Sequence, residues 1–147
     1  MNAAELLDGL GALPGARDAG ADGNGIVASR LLNGVEYAHA SALEESRLRS
    51  AWRQRQGGAA TPLVLLADDP EQPGFLRVLG PQRDGPLRRV RADSLFGLVE
   101  KTLSVRRLQA VRLLAEELER LDTERIAGLK VRGLGTVQRL ESDNRVP

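Results

Sequence analysis

Acidic side chains at two places in the chain follow the order that metal-dependent nucleases use. Glu44 lies within a predicted helix, and Asp68 and Asp69 follow an apolar run. In such enzymes carboxylates hold Mg²⁺ beside the scissile phosphate. They also need a carboxylate and a lysine two residues apart on the next strand, and neither "FLRVLG" nor "LRRVRA" contains that pair. We therefore expect Glu44 to pair locally, the two aspartates to open a turn before Pro70, and Mg²⁺-dependent cleavage to be absent.

Nucleophilic and nucleotide-binding chemistry find little support in the sequence. The chain has no cysteine and one histidine, His39, without a serine or cysteine partner at a signature spacing. The segment "GLKVRGLGT" lacks the Lys-Ser or Lys-Thr of a P-loop and the third glycine of a dinucleotide fingerprint. It is either a glycine turn or a loop in which Lys130 and Arg132 meet a phosphate. We predict no catalytic residue, no bound metal and no cofactor.

Positive charge is concentrated in the second half of the chain. The formal net charge is only +1, but anions exceed cations in residues 1–74 and cations exceed anions in residues 75–147. On a strand, Arg89 and Arg91 share one face and Arg88 points to the other, which favours either an edge strand or a strand whose far side is solvated. Such arginines either contact the phosphate backbone of a nucleic acid or simply form a soluble surface. The candidate nucleic-acid-binding residues are Arg83, Arg88, Arg89, Arg91, Arg106, Arg107, Lys130 and Arg132.

The hydrophobic pattern predicts alternating helices and strands. A short first helix is followed by a glycine-rich connector up to residue 25. Residues 26–56 are predicted to be helical in two pieces broken near "LNG", because apolar residues recur at three- and four-residue steps, among them Tyr37, Ala40, Leu48 and Trp52. The runs "TPLVLLADD", "GFLRVLG" and "PLRRVRA" predict strands, the first buried on both faces. A last helix begins at Asp93 or Ser94 and ends at Leu121, with a kink at 102–104 and an apolar stripe that includes Leu108.

These elements predict an α+β fold with a small three-stranded, mostly antiparallel sheet packed against two long helices. We expect one domain over residues 26–136, preceded by the short helix and connector of residues 1–25. Residues 137–147 form a polar tail that we interpret as a truncation point within a longer chain. No apolar run approaches the roughly 18 residues of a membrane span, and no signal peptide is evident, so we expect no membrane partner and a cytoplasmic location.

Several segments in succession resemble a known family. They are "VEYAHASALEESRLRSAWRQRQGGAATPLVLLAD", then "VLGP" with its Gly80-Pro81 pair, then a long helix, then "LDTERIAGLKVRGLGT". Together, over roughly residues 35 to 136, they resemble the N-terminal region of large adenine-specific DNA methyltransferases of the restriction-modification and phage-exclusion type. The resemblance implies DNA and the remainder of a larger polypeptide, or defence-system subunits, as partners. This chain itself lacks the Asn-Pro-Pro-Tyr or Asp-Pro-Pro-Tyr motif and the glycine fingerprint that methylation requires.

Three hypotheses follow from these observations. The first is a non-catalytic domain of a DNA restriction or phage-defence protein that binds the DNA backbone or docks on the rest of its enzyme. The second is a degenerate or active Mg²⁺-dependent nuclease-like module that uses Glu44, Asp68 and Asp69. The third is a protein-interaction adaptor whose apolar helix face binds a partner.

Overall fold

A mixed β-sheet forms the centre of the computed structural model, which describes residues 1–41 and 44–123. Six strands lie side by side in chain order. Every neighbouring pair is antiparallel except β3 and β4, which are parallel. The strands are β1 (Arg17–Asp18), β2 (Ile26–Leu32), β3 (Val35–Ala40), β4 (Leu63–Asp68), β5 (Phe75–Leu79) and β6 (Arg88–Arg91).

Helices cover both faces of this sheet. They are α1 (Ala3–Gly11), α2 (Glu45–Gln56), α3 (Ala92–Thr102) and α4 (Arg107–Leu121). Helices α1, α3 and α4 pack on one face, which we call the three-helix face, over a core that includes Leu6, Tyr37 and Leu114. Helix α2 packs on the other face, the α2 face, through Leu48 and Trp52. The alternation of side chains along each strand separates these two cores.

The predicted fold class is wrong in its sheet and its helices. The fold is α+β, but with six strands and four helices among the described residues instead of three strands and two long helices. The three predicted strands are present as β4, β5 and β6 in an antiparallel meander, and β4 is buried along nearly all its length. The additional strands come from residues 17–40, and the last predicted helix is divided into α3 and α4.

The turn between β2 and β3 explains the main error. Asn33 and Gly34 both have positive φ, 51° and 76°. This is the conformation of a two-residue hairpin turn, and Asn-Gly is its preferred sequence. The Asn33 side chain also donates to the carbonyl oxygens of Thr102 and Val105, at 2.7 and 2.9 Å, so it fixes the hairpin to the junction of α3 and α4. Residues 26–40 therefore form a hairpin instead of a broken helix.

Other helix details also differ from the predictions. Helix α3 begins directly after β6, with Arg91 as its N-cap, so Asp93 lies in the first turn instead of capping it. In α4 the buried residues are Ala110, Leu114 and Leu118, whereas Leu108 is 76% exposed. No helix of the described ranges 1–41 and 44–123 is long and apolar enough to cross a membrane.

The connection from β3 through α2 to β4 is anchored by Trp52. Its indole Nε1 donates to the carbonyl oxygen of Leu63 at 2.9 Å, at the start of β4. Gly80, at the end of β5, has φ +90° and lies against the same two groups. A Cβ at Gly80 would overlap the Leu63 carbonyl oxygen and lie 2.7 Å from the Trp52 nitrogen. Only glycine therefore fits where β5 passes beneath α2.

A second anchor holds the glycine-rich connector against α2. The Arg55 guanidinium donates to Glu36 Oε2 at 2.7 Å and to Asp22 Oδ2 at 3.4 Å. It also donates to the carbonyl oxygens of Ala19 and Gly20. Burial acts to raise the pKa of Asp22, but the backbone N–H groups of Asn24 and Ile26 and the Arg55 charge outweigh it, so the pKa lies below its usual value. The connector is thus held by a nearly buried cation.

Replacement of Gly80 by alanine is predicted to destabilise the protein by more than about 3 kcal/mol, because strain at positive φ and overlap with the Leu63 carbonyl add together. Gly15→Ala is the matched control, since Gly15 has φ +82° and no atom within 4 Å of an added Cβ. It should cost only about 1 kcal/mol. Urea denaturation of both variants measures the difference, and equal losses would contradict the overlap.

Replacement of Arg55 by methionine is predicted to lower the free energy of unfolding by about 2 to 3 kcal/mol at pH 7. The loss is smaller than for a fully buried ion pair because Arg55 and Glu36 keep 17% and 16% side-chain exposure. A lowered folded-state pKa means that Asp22 contributes stability above its unfolded pKa and loses it as the pH falls through the folded one. The deficit of Arg55→Met should therefore narrow below about pH 4. Denaturation curves from pH 7 to pH 3 test this, and a deficit independent of pH would exclude the ion pair as its cause.

Candidate nucleic-acid interface

Helix α2 covers only part of the α2 face of the sheet. Helix α2 lies over β4 and β5. Towards the edge strand β6, Arg77 and Arg89 remain half-buried and Arg91 is exposed. Arg77 and Arg89 are direct cross-strand partners, and Arg91 lies opposite Phe75. Three arginines therefore project from the same accessible face of two neighbouring strands, as the alternation of Arg89 and Arg91 predicts.

A groove of roughly 650 Å³ lies between this part of the sheet and the N-terminal half of α2. Arg49 reaches it from α2, where its guanidinium donates to Glu45 Oε2 at 2.9 Å and to the carbonyl oxygen of Gly85 at 2.9 Å. Arg49 thus joins α2 to the connector between β5 and β6. We call this space the arginine groove; it is lined by Glu44, Glu45, Arg49, Arg77, Pro86, Leu87 and Arg89.

Carboxylates orient Arg89 within the groove. Asp69 has no exposed side-chain surface, and its Oδ1 accepts a hydrogen bond from the Glu71 backbone N–H at 3.0 Å. Its Oδ2 lies 3.9 Å from Arg89 Nε, an ion-pair distance too long for a hydrogen bond. Glu71, whose side chain is 70% exposed, lies 3.5 Å from Arg89 Nη1. One buried and one exposed carboxylate therefore share this arginine.

Arg91 is positioned by an aromatic ring. Its guanidinium carbon lies 4.9 Å from the centroid of the Phe75 ring, within the range of a cation–π contact. The contact holds the charged side chain of Arg91 over the sheet, and within residues 1–41 and 44–123 no carboxylate forms an ion pair with it. Arg91 consequently presents its charge to solvent.

The remaining predicted arginines lie elsewhere. Arg88 is buried on the three-helix face, 3.8 Å from Asp122 Oδ2 at the end of α4. Of the two predicted alternatives, β6 is thus an edge strand of the described sheet, and its far side is covered by α4. Arg83 donates to the Gly57 carbonyl oxygen and lies 5.9 Å from the Trp52 ring centroid. Arg106 and Arg107 begin α4, where Arg107 packs against the Gly34 turn.

The structure therefore brings together Arg89 and Arg91 from the predicted set, and it separates them from Arg83, Arg88, Arg106 and Arg107. Lys130 and Arg132 lie outside the described residues. Arg49 and Arg77 were not predicted as site residues. The sequence does place Arg77 two residues after Phe75 on a predicted strand, which assigns both side chains to one face. It contains no comparable signal for Arg49.

The candidate metal-binding carboxylates each have a local role. Asp68 Oδ1 accepts a hydrogen bond from the Ala3 backbone N–H at 2.7 Å and so holds the start of α1 against β4. Asp69 points to the opposite face, towards Arg89. Glu44 is exposed and lies 3.4 Å from Arg47. Among residues 1–41 and 44–123, no group of three or more histidine or acidic side chains could hold a metal ion.

Tyr37 and His39 are two residues apart on β3, so both side chains point to the three-helix face. Burial lowers the pKa of His39, and the charge of Asp68 partly opposes this shift. Burial raises the pKa of Tyr37. Neither side chain lines the arginine groove. Their positions give them packing roles in the described structure.

Comparison of the chain with protein-family models, with curated proteins and with solved structures found no match. The resemblance to methyltransferase N-terminal regions stays a prediction.

Purified protein is predicted to leave plasmid DNA intact in the presence of Mg²⁺, because Asp68 and Asp69 point to opposite faces of the sheet. Gel analysis of plasmid incubated with and without Mg²⁺ tests this expectation. Cleavage by the wild type that disappears in Glu44→Ala would contradict it and would restore the nuclease hypothesis.

Proposed function

We propose that this chain is a non-catalytic domain that binds the phosphate backbone of DNA through the arginine groove and the adjacent Arg91. In agreement with the family resemblance, we further propose that it serves a restriction or phage-defence protein with DNA methyltransferase character. We place it in the cytoplasm, which the absence of cysteine from this sequence favours.

One observation carries this proposal: Arg77, Arg89 and Arg91 project from one accessible face of adjacent strands. Arg77 and Arg89 lie directly opposite each other, an arrangement of like charges that sheets usually avoid, and Asp69 and Glu71 balance the charge of Arg89. Residues that break a local stability rule are expected at functional sites. Here the arrangement concentrates three guanidinium groups beside the groove.

The spacing of the arginines suits a polyanion. Arg89 and Arg91 are two residues apart on β6, which separates their Cα atoms by about 6.6 to 6.8 Å. This is close to the separation of successive phosphates along a nucleic-acid strand. Guanidinium groups also match phosphate oxygens with two parallel hydrogen bonds. A strand of DNA lying along β6 would therefore meet one arginine per phosphate.

Docking onto another protein is the second candidate function. The carboxylates that line or adjoin the groove favour it, because Glu44, Glu45 and Glu71 give the surface both signs of charge. Mixed charges with exposed apolar atoms are characteristic of a protein interface. Such a partner would be the remainder of a larger polypeptide or another subunit of a defence system.

The double variant Arg89→Gln/Arg91→Gln is predicted to lower DNA affinity and to reduce the slope of log K against log salt by roughly 2 for duplex DNA, since about 0.9 counterion is released per neutralised phosphate. Fluorescence anisotropy with duplex and single-stranded oligonucleotides of equal length, from about 50 to 200 mM salt, measures both quantities.

The control is Arg17→Gln/Arg120→Gln, which removes the same charge from the opposite edge strand β1 and from α4. Its slope should stay close to that of the wild type. Absence of binding to either oligonucleotide at about 50 mM salt, where backbone contacts are strong, would reject the proposal. An equal reduction in both double variants would reject the groove as the site.

A further inference from the structure

We propose that the arginine groove prefers single-stranded nucleic acid over duplex, with Phe75 and Arg91 forming a stacking platform for an unpaired base. This inference rests on the proposed function and narrows its ligand class. The juxtaposition that suggests it is an aromatic ring and a guanidinium group in contact, 4.9 Å apart, on the same sheet face as two further arginines.

The chemistry of the two side chains fits an unpaired base. Aromatic rings and the planar guanidinium group of arginine both stack on nucleobases. Arg91 is exposed and Phe75 beneath it is half-buried. The ring therefore holds the guanidinium group at the surface, and the outer side of that group is accessible to a ligand. In a duplex the faces of the bases are already stacked on one another, so only an unpaired base can use this platform.

The shape of the surface also favours a flexible strand. Helix α2 lies over β4 and β5, and a helix with its side chains is about 10 to 12 Å across. The part of the sheet beside α2, towards β6, is therefore recessed. At the outer side of β6 the Arg89 backbone N–H donates to Asp122 Oδ1 and the Arg89 carbonyl oxygen accepts from Thr123 Oγ1. A single strand can follow such a step with its phosphates against Arg77 and Arg89. A stiff duplex would contact the rim of the step and the exposed arginines only.

The lining of the groove suits a nucleic-acid strand of any base sequence. Apart from Arg49, Arg77 and Arg89, the groove is lined by the acidic residues Glu44 and Glu45 and by the apolar residues Pro86 and Leu87. Stacking is tolerant of base identity because every base has a π-face. Sequence preference is consequently not expected from this platform.

The experiment compares three labelled probes of about 12 nucleotides: a single strand, the same strand with abasic sites throughout, and the duplex. The wild-type chain should bind the single strand at least about fivefold more tightly than the other two, the gain of one stacked base. Phe75→Leu should lower single-strand affinity by about the same factor and change affinity for the abasic strand and the duplex less than about twofold.

Two further variants separate stacking from charge and from folding. Arg91→Lys keeps the charge of an exposed residue but loses the planar group, so it should reproduce the single-strand loss of Phe75→Leu. Phe96→Leu makes the same chemical change on the three-helix face, where Phe96 packs against α1 at Gly9, and should leave single-strand affinity within about twofold of the wild type.

The outcomes distinguish the two proposals. If no probe binds at about 50 mM salt, both the proposed function and this inference are wrong. If all three probes bind equally, or if Phe75→Leu and Arg91→Lys weaken all of them alike, the stacking platform is overturned while backbone binding stands. Loss confined to the single strand supports the inference.

Discussion

The parallel pairing of β3 and β4 is the constraint on which the rest of this structure depends. Two parallel neighbours cannot be joined by a tight turn, so the chain must cross one face of the sheet between them. Helix α2 makes that crossing, and Trp52 fixes its height above the sheet through the Leu63 carbonyl oxygen. Because this contact leaves no room for a side chain at Gly80, the chain requires glycine where β5 ends.

The position of α2 also creates the candidate site. The helix lies over β4 and β5, so the part of the same face towards β6 stays accessible. The groove is the space between the side of α2 and this accessible part of the sheet. The opposite face offers no such space near β6, since α4 contacts this strand and Asp122 there pairs with the buried Arg88. Alternation along one short strand thus buries Arg88 and leaves Arg89 and Arg91 on the accessible face.

The sequence predicts the second half of the fold well and the first half poorly, for a physical reason. Strands β4 to β6 are short apolar runs between proline, glycine and aspartate, so local residue types determine both their ends and their antiparallel pairing. Between residues 26 and 56, apolar residues recur at helical spacing across a boundary between strand and helix. Tyr37 and Leu48 in fact belong to different cores on opposite faces of the sheet. Asn33-Gly34 was the local signal that could have corrected the prediction.

For the site, the period of two along a strand correctly places Arg89 beside Arg91, but counting charge along the chain cannot show which arginines converge. Arg83, Arg106 and Arg107 contribute to the same basic segment, yet Arg83 contacts Gly57, Arg107 packs against the Gly34 turn and Arg106 is the N-cap of α4. Arg49 enters the groove only because the crossover places α2 there, and the crossover depends on long-range pairing of β3 with β4. No local pattern encodes that pairing.

The carboxylates around Arg89 determine whether a nearly neutral groove can still hold an anion. Asp69 is fully enclosed and hydrogen-bonded to the backbone, so it stays in place and orients the guanidinium group. Glu71 is mostly in solvent, and an exposed ion pair of this kind contributes only about 0 to 1 kcal/mol. A phosphate that displaces Glu71 therefore gives up little, and it gains a preoriented donor that a mobile surface arginine does not offer. In the proposed function the buried carboxylate fixes the donor while it lowers the local positive potential, and the exposed carboxylate opposes phosphate binding only weakly.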